Sequence, residues 1–450
     1  MNVIRTRPTD PRTWDSGPGG RADAAIDTLL NDDPMVLTEP QLADRFDAIL
    51  DTTRELLEAR FFDYLSFHSV RGIRLEAMLR LARRADLSQY DFLTDLDFAT
   101  VVVDRELRAL ADSARRSPAV RAALAAQALD SDAVRKADLA WWAQVSAFLD
   151  LHGARTPGMY QPFSNVSWRE NLPGFLMTLH ALVRADEAPP ARRIRNVDLV
   201  AEVEARLPRP LRASFGRLVE DYRAGHVMRE ASVQQLERLA LLARQVALEA
   251  GRRLVTTGEL TEPGEIKYLT AGELVARLRG DEHPDVLSLV ARRESARPRA
   301  EAAWLHSQRR PDRQPRESRV TAVRRTLSGL VPRRPLRDQG EGQEEVLLSG
   351  AAGSPGIATG PARIINGPEE FGRLQPGDVL VTRFTDPAWT PLFGIASAVI
   401  ADTGGRLAHA AIVAREYGIP AVLGVGSATT TLHDDQQITV DGTRGEVREA

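Results

Sequence analysis

The 450-residue sequence contains no cysteine. That excludes disulfides, thiolate metal sites and a cysteine nucleophile, and it fits a reducing compartment. Lysine is nearly as scarce. Only Lys136, in SDAVRKADLAWW, and Lys267, in GEIKYLTAGEL, stand against 57 arginines. Neither follows a glycine-rich loop, so there is no Walker A phosphate loop. No run of 18 apolar residues occurs, and the opening MNVIRTRPTDPRTWDSGPGG has no apolar stretch of signal-peptide length. The expectation is a cytoplasmic protein with no membrane association. A net charge of −3 makes no global case for nucleic acid.

What is present is an ordinary globular balance of 43% hydrophobic and 27% charged residues, with length for two or three domains. Residues 1–19 read as a disordered leader. Its continuation SGPGGRADAAI (16–26) is glycine-rich and leads into a helix, but no strand precedes it, which argues against a phosphate cradle. Residues 20–305 read as mostly helical. PQLADRFDAILDTTRELLEARFFDYLSFH (40–68) repeats apolar residues at spacings of three and four, and Leu87–Ala111, 119–129 and Ala137–Leu151 continue the pattern. The stretch 233–260 is the longest helix expected, with Leu236, Leu239, Leu242, Val246 and Leu248 on a stripe and Gly258 as its stop. Residues 306–345 are rich in Arg, Pro, Gln and Gly and read as a flexible basic linker. Residues 346–450 read as a small α/β domain. The expected fold is therefore multidomain, a mostly α-helical N-terminal domain followed by a small α/β domain.

Within that last domain, SAVIA (397–401) suits a buried strand and Asp402-Thr403-Gly404-Gly405 a turn. A helix runs from Ala408 to Tyr417, closed by Gly418 and Pro420, and AVLGVG (421–426) forms the next strand. His409 thus falls in the first helical turn. Backbone N–H groups there lack intrahelical partners and the dipole is positive, which favours a bound anion and disfavours imidazolium. A neutral imidazole is a nucleophile, and the glycines let a phosphate donor approach. The plainer alternative is a half-buried helix histidine bonded to a carbonyl.

The run GGRLAHAAIVAREYGIPAVLG (404–424) resembles the phosphohistidine swivelling domain of the PEP-utilising enzymes, the family of phosphoenolpyruvate synthase and pyruvate phosphate dikinase. GSPGIATGPARII (353–365), LQPGDVLVTRFTDPAWTPLF (374–393) and ITVDGTRGEV (438–447) stand in the order of that family's opening strand, Asp-Pro-x-Trp loop and closing hairpin. The resemblance implies that His409 is transiently phosphorylated, with Gly404, Gly405, Arg406 and Arg415 around the phosphate. Thr385 and Asp386 are candidates for the cleft wall.

The irregular stretch 148–183 resembles the central domain of rifampin-phosphotransferase-like proteins, where H-G-x-R-x-x-G-E leads to W-x-E-x-P. His152, Gly153, Arg155, Gly158, Trp168, Glu170 and Pro173 match that pattern. Met159 stands where the family has glutamate, which removes a carboxylate. The resemblance implies an acceptor domain over 20–305, with His152, Arg155, Trp168 and Glu170 as candidate acceptor-domain residues.

What these resemblances imply together is a phosphotransferase component. His409 carries the phosphoryl group to a small-molecule acceptor, and a separate ATP-binding subunit supplies ATP and Mg2+, with no cofactor bound by this chain alone and no metal site of its own. A phosphocarrier or regulatory protein, or a degenerate ligand-binding protein without metabolite chemistry, are the alternatives.

Overall fold

The computed structural model describes residues 9–450 apart from 31, 66–67, 85–86, 94–95, 97, 127–128, 157–165, 185–195, 282–284, 309–345, 386 and 407. The chain divides into two compact units. The first comprises the described parts of 1–37, 44–246 and 345–450, and the second those of 38–43 and 247–344. The helical region expected over 20–305 is thus split between units. Of the linker expected over 306–345, residues 306–308 end a helix and the rest lies outside the described residues.

The N-terminal elements are α1 (Pro18–Leu30), α2 (Glu39–Glu58), α3 (His68–Leu81), α4 (Ala99–Arg116) and α5 (Pro118–Leu124). They are followed by α6 (Ser131–Ala137), α7 (Leu139–His152), α8 (Leu172–Arg184), α9 (Asn196–Arg206) and α10 (Arg209–Thr256). The helices follow the spacing of their apolar residues. In α4, Val103, Leu107, Leu110, Ala111 and Ala114 are all buried on one face. Asp130 and Asp138 cap α6 and α7 by accepting from the Asp132 and Trp141 N–H groups. The longest helix is α10, at 48 residues, and it begins 24 residues before the expected 233.

Two expectations need correction. Residues 9–19 are not a disordered leader. Trp14 is 2% exposed, its Nε1 donates to Gln235 Oε1 at 3.2 Å, and Gln235 Nε2 donates to Gly19 O at 3.0 Å. A Cβ on Gly19 would lie 2.3 Å from Trp14 Nε1, so this glycine admits an indole and not a phosphate. The helix expected from Leu87 begins only at Ala99. The Asp91 carboxylate accepts from the Ser88 N–H (2.6 Å) and hydroxyl (2.9 Å), which closes a single 3-10 turn, Gln89–Phe92, around buried Tyr90 and Phe92.

The C-terminal part is an eight-stranded mixed sheet. Its strands are β1 (Val346–Ser349), β2 (Ala351–Ser354), β3 (Ile357–Ile364), β4 (Val379–Thr382), β5 (Ala398–Ala401), β6 (Ala421–Leu423), β7 (Gln437–Asp441) and β8 (Glu446–Glu449). Their order is β1-β8-β7-β3-β4-β5-β6-β2, with β3 to β6 parallel and the outer pairs antiparallel. Two short helices matter for the site, α13 (Thr390–Phe393) and α14 (His409–Tyr417). Alternate residues of the parallel strands enter different cores. Val379, Val381, Ala398 and Ile400 pack with Ile438, Val440 and Val447 on one face. Leu380, Val399 and Ala401 join Ala410, Ala411 and Ala414 of α14 on the other. That second core is continuous with Leu107, Ala111 and Ala114 of α4 and Phe175, Leu176 and Leu179 of α8. The sheet domain is thus docked on the helices through shared apolar packing.

In the second unit the end of α10 leads through the 3-10 turn Pro263–Tyr268 to α11 (Ala271–Arg279). A helix of 23 residues, α12 (Val286–Gln308), follows. Thr270 and Glu273 form a capping box, and Gly280 closes α11 at φ 73°. Arg277 pairs with Glu259 and Glu39, and Arg293 with Glu273.

Candidate functional site

The strand–turn–helix unit read from the sequence is present. β5 ends at Ala401, Gly404 turns the chain at φ 107°, α14 opens at His409, and Gly418 ends it at φ 66°. Gly404 is required by that backbone conformation. A Cβ on Gly405 would meet nothing within 4 Å, so its place is open to a bound group rather than conformationally forced.

His409 is held from both sides. Thr390 Oγ1, on α13, lies 3.1 Å from Nε2. Glu230 Oε2, on α10, lies 3.5 Å from Nδ1, an ion-pair separation rather than a closed hydrogen bond. A proton on Nδ1 faces this carboxylate and leaves Nε2 to accept from the Thr390 hydroxyl, so Nε2 carries the lone pair. The ring is largely buried, with 12% of its side chain exposed.

Glu230 is the main residue that sequence reasoning missed. It is 6% exposed, accepts from Arg229 Nη2 at 3.1 Å and faces Thr100 Oγ1 at 3.4 Å. Burial alone would raise its pKa, but His409 and Arg229 outweigh that and hold it down to about 2. Thr390 was also missed, although it lies within the quoted Asp-Pro-x-Trp segment. Trp389 itself is buried against Phe371 at 4.9 Å and fixes the start of α13.

The other expected residues divide. Arg406 is exposed, and its carbonyl accepts from Arg415 Nη2 at 3.0 Å. Arg415 is half-buried. It lies over the Tyr90 ring at 4.8 Å, and burial pushes its pKa down to about 10. Thr385 is half-buried in the loop before α13, and Asp386 lies outside the described residues.

The four acceptor-domain candidates make a cluster of their own. His152 Nε2 is 2.8 Å from Glu106 Oε2 and its ring packs on Phe148. Arg155 is 3.9 Å from Glu237 and lies over Trp168, which packs against Phe148 and Phe175. Glu170 accepts from Arg244 at 2.6 Å and from the Ser167 N–H and hydroxyl. Among the described contacts none of these four reaches His409. Gly158 and Met159 lie outside the described residues.

His409 thus stands at a glycine turn and a helix mouth, between a hydroxyl and a buried carboxylate. Residues 374–445 match the mobile domain of PEP-utilising enzymes, and residues 71–230 match the fourth domain of rifampicin phosphotransferase. The chain is similar to PEP-utilising phosphotransferases over these two stretches.

An uncharacterised phosphotransferase of Bacillus subtilis is 56% identical over 107 residues, 24% of this chain and 13% of that protein. A phosphoenolpyruvate synthase of Aeropyrum pernix is 49% identical over 115 residues, 25% of this chain and 14% of that protein. A rifampicin phosphotransferase of Streptomyces sp. is 35% identical over 232 residues, 51% of this chain and 24% of that protein. The chain therefore spans a quarter or less of the length of these relatives.

Among the described residues no group of three or more His, Cys, Asp or Glu could hold a metal ion, and no helix is long and apolar enough to cross a membrane. The groups around His409 suit a phosphoryl group: a lone-pair nitrogen, a hydroxyl donor, the open turn at Gly405 and Arg406 three residues before the ring.

Proposed function

We propose that this chain is a phosphotransferase component in which His409 carries a phosphoryl group to a small-molecule acceptor bound on the helices. The observation that carries the reading is the position of His409, between Thr390 and Glu230 where the sheet domain meets α10. In the first step Nε2 attacks the donor phosphorus, and a P–N bond forms as the donor P–O bond breaks. In the second step the acceptor oxygen attacks, the P–N bond breaks, Nε2 regains its lone pair and the proton of a hydroxyl acceptor leaves to water. Glu230 keeps the Nδ1 proton in place through both steps. Arg406 and the first-turn N–H groups of α14 offset phosphate charge.

We place the nucleotide-binding part outside these 450 residues, on a separate chain where ATP and Mg2+ act. The missing Walker A sequence and the match of 71–230 to a different module support that division. The cysteine-free sequence supports a cytoplasmic setting.

Potassium phosphoramidate, which phosphorylates histidine without a protein partner, tests the carrier. The expected product has one acid-labile, base-stable phosphate on His409. His409→Ala should lose it, and His433→Ala, altered on an exposed turn, should keep it. Label that persists in His409→Ala would sink the assignment. Co-purification from the native cell then identifies the ATP-binding chain, and a purified chain that hydrolyses Mg-ATP alone would overturn the two-chain division.

A further inference from the structure

One turn before Glu230 on α10 stands His226, and one turn before that Tyr222, so the three side chains share a stripe of the helix. His68, the first residue of α3, stacks on Tyr222 at 4.8 Å and meets His226 edge-on at 4.4 Å. A Cβ on Gly225 would lie 2.7 Å from His68 Nδ1, so α10 carries a glycine where this ring rests. His226 is fully buried and His68 is 8% exposed.

All four ring nitrogens of this pair lack a hydrogen-bond partner. So do two nearby guanidinium nitrogens, Nη1 of Arg71 on α3 and Nη1 of Arg415 on α14. Arg71 is itself 8% exposed, with its Nη2 on Thr9 O at 3.2 Å. A buried donor left unmade costs about 1–3 kcal/mol. A histidine kept for packing normally satisfies its N–H on a carbonyl, and here neither does.

The charged side chains that act directly on the two rings are arginines. Arg71 and Arg229 act on His68, and His226 feels Arg229 and Arg415. Glu230 is held by Arg229, and Asp221, Asp10, Arg12 and Arg74 act on Arg71. Tyr90 and Tyr222 are neutral neighbours, and two carboxylates act further out, Asp91 on Arg415 and Glu76 on Tyr222. Two imidazole N–H donors and two guanidinium donors, in a cationic surround and one helical turn from the phosphoryl site, match one kind of ligand.

We propose that His68, His226, Arg71 and Arg415 form a buried oxyanion site that anchors a phosphate or carboxylate group of the acceptor. The site as an oxyanion binder stands by itself, and its role as the acceptor's anchor rests on the phosphotransfer reading. An acceptor held there by its anionic end presents its hydroxyl or second carboxylate oxygen toward His409, one turn along α10. Burial and the three arginines disfavour protonation of the empty pair. A bound anion reverses that field, so the imidazoles take up protons when it enters.

The test uses the whole chain labelled with 15N-histidine, with ring signals assigned by His68→Gln and His226→Gln. Inorganic phosphate and acetate are titrated against chloride at constant ionic strength. Both ring signals of the pair should shift saturably with phosphate or acetate, with a Kd of about 1 mM or tighter. Their protonation midpoints should rise by about 1–3 units. Arg415→Met should weaken binding about tenfold or more. His409→Ala should leave the response intact, which separates this site from the phosphoryl position on His409. The anion that saturates names the acceptor's group. Unmoved pair signals in wild type with both anions, an equal shift with chloride, or a response lost in His409→Ala would each overturn the proposal. Phosphoramidate labelling of His409, run on the same samples, reports on the carrier independently. Its failure with the anion response intact would remove the acceptor role and leave the oxyanion site standing.

Discussion

Glu230 and His409 face each other across the junction of α10 and the sheet domain, Oε2 to Nδ1 at 3.5 Å, with the carboxylate buried more deeply than the ring. A buried carboxylate beside an imidazole fixes the ring's orientation and the nitrogen that keeps its proton. Glu230→Gln should therefore slow phosphorylation of His409 by phosphoramidate about tenfold to a hundredfold while the protein stays folded. Rates are read by phosphate release under acid. An unchanged rate would leave Glu230 as a packing residue.

Thr390 works on the other nitrogen. Thr390→Val keeps the shape and removes the hydroxyl that faces Nε2 at 3.1 Å. The expected loss is again about tenfold. Thr390→Ser should restore most of the rate, because the hydroxyl and not the methyl makes the contact. A serine variant as slow as the valine variant would assign the effect to packing.

A second contact ties the domains together. Tyr417 at the end of α14 donates to Asp104 on α4, whose other partner is Arg108 at 2.8 Å. Arg108 also lies over the Tyr417 ring at 5.2 Å. Tyr417→Phe should cost about 1–3 kcal/mol in chemical denaturation. Asp104→Ala should cost more, because it takes the carboxylate away from both Tyr417 and the half-buried Arg108. The reverse order would mean that the phenol, not the ion pair, carries the contact.

Acid should weaken the fold through the buried histidines. Burial, then Arg229 and Arg71, push His68 down to about 4 from its ordinary 6.5. The unfolded chain binds the extra proton first. The stabilisation is complete above about pH 6.5 and is lost as pH falls towards 4, by about 3 kcal/mol for this one group. Denaturation midpoints across that window should flatten in His68→Gln. A slope unchanged by the variant would place the acid sensitivity elsewhere.

Trp14 provides a test of the corrected N-terminus. Its indole is 2% exposed against α1 and is bonded to Gln235. Trp14→Ala should destabilise the protein by about 3–5 kcal/mol, as for other buried aromatics. A truly disordered leader would give no change in thermal or chemical unfolding.

By itself the sequence determined the unit around His409. A short apolar run, a glycine that must take φ 107°, an alanine-rich helix and a glycine stop act within some twenty consecutive residues, so local chemistry was enough to place them. It also set the helical character of the N-terminal region through spacing alone. Only the tertiary structure decided what faces that histidine. Glu230 and Thr390 come from different elements, and neither carries a local pattern distinct from any helix glutamate or threonine. The same holds for His68 and His226, distant in sequence and joined only because α3 packs on α10. Arg415 looked like a surface phosphate ligand from its place in the motif, and the fold lays it over the Tyr90 ring instead. His152, Arg155 and Trp168 behave likewise. Their sequence pattern was legible, but Glu106, Glu237 and the aromatic rings hold them inward while Glu170 stays exposed on Arg244, because burial leaves a polar group to be satisfied by whichever neighbour the fold brings to it.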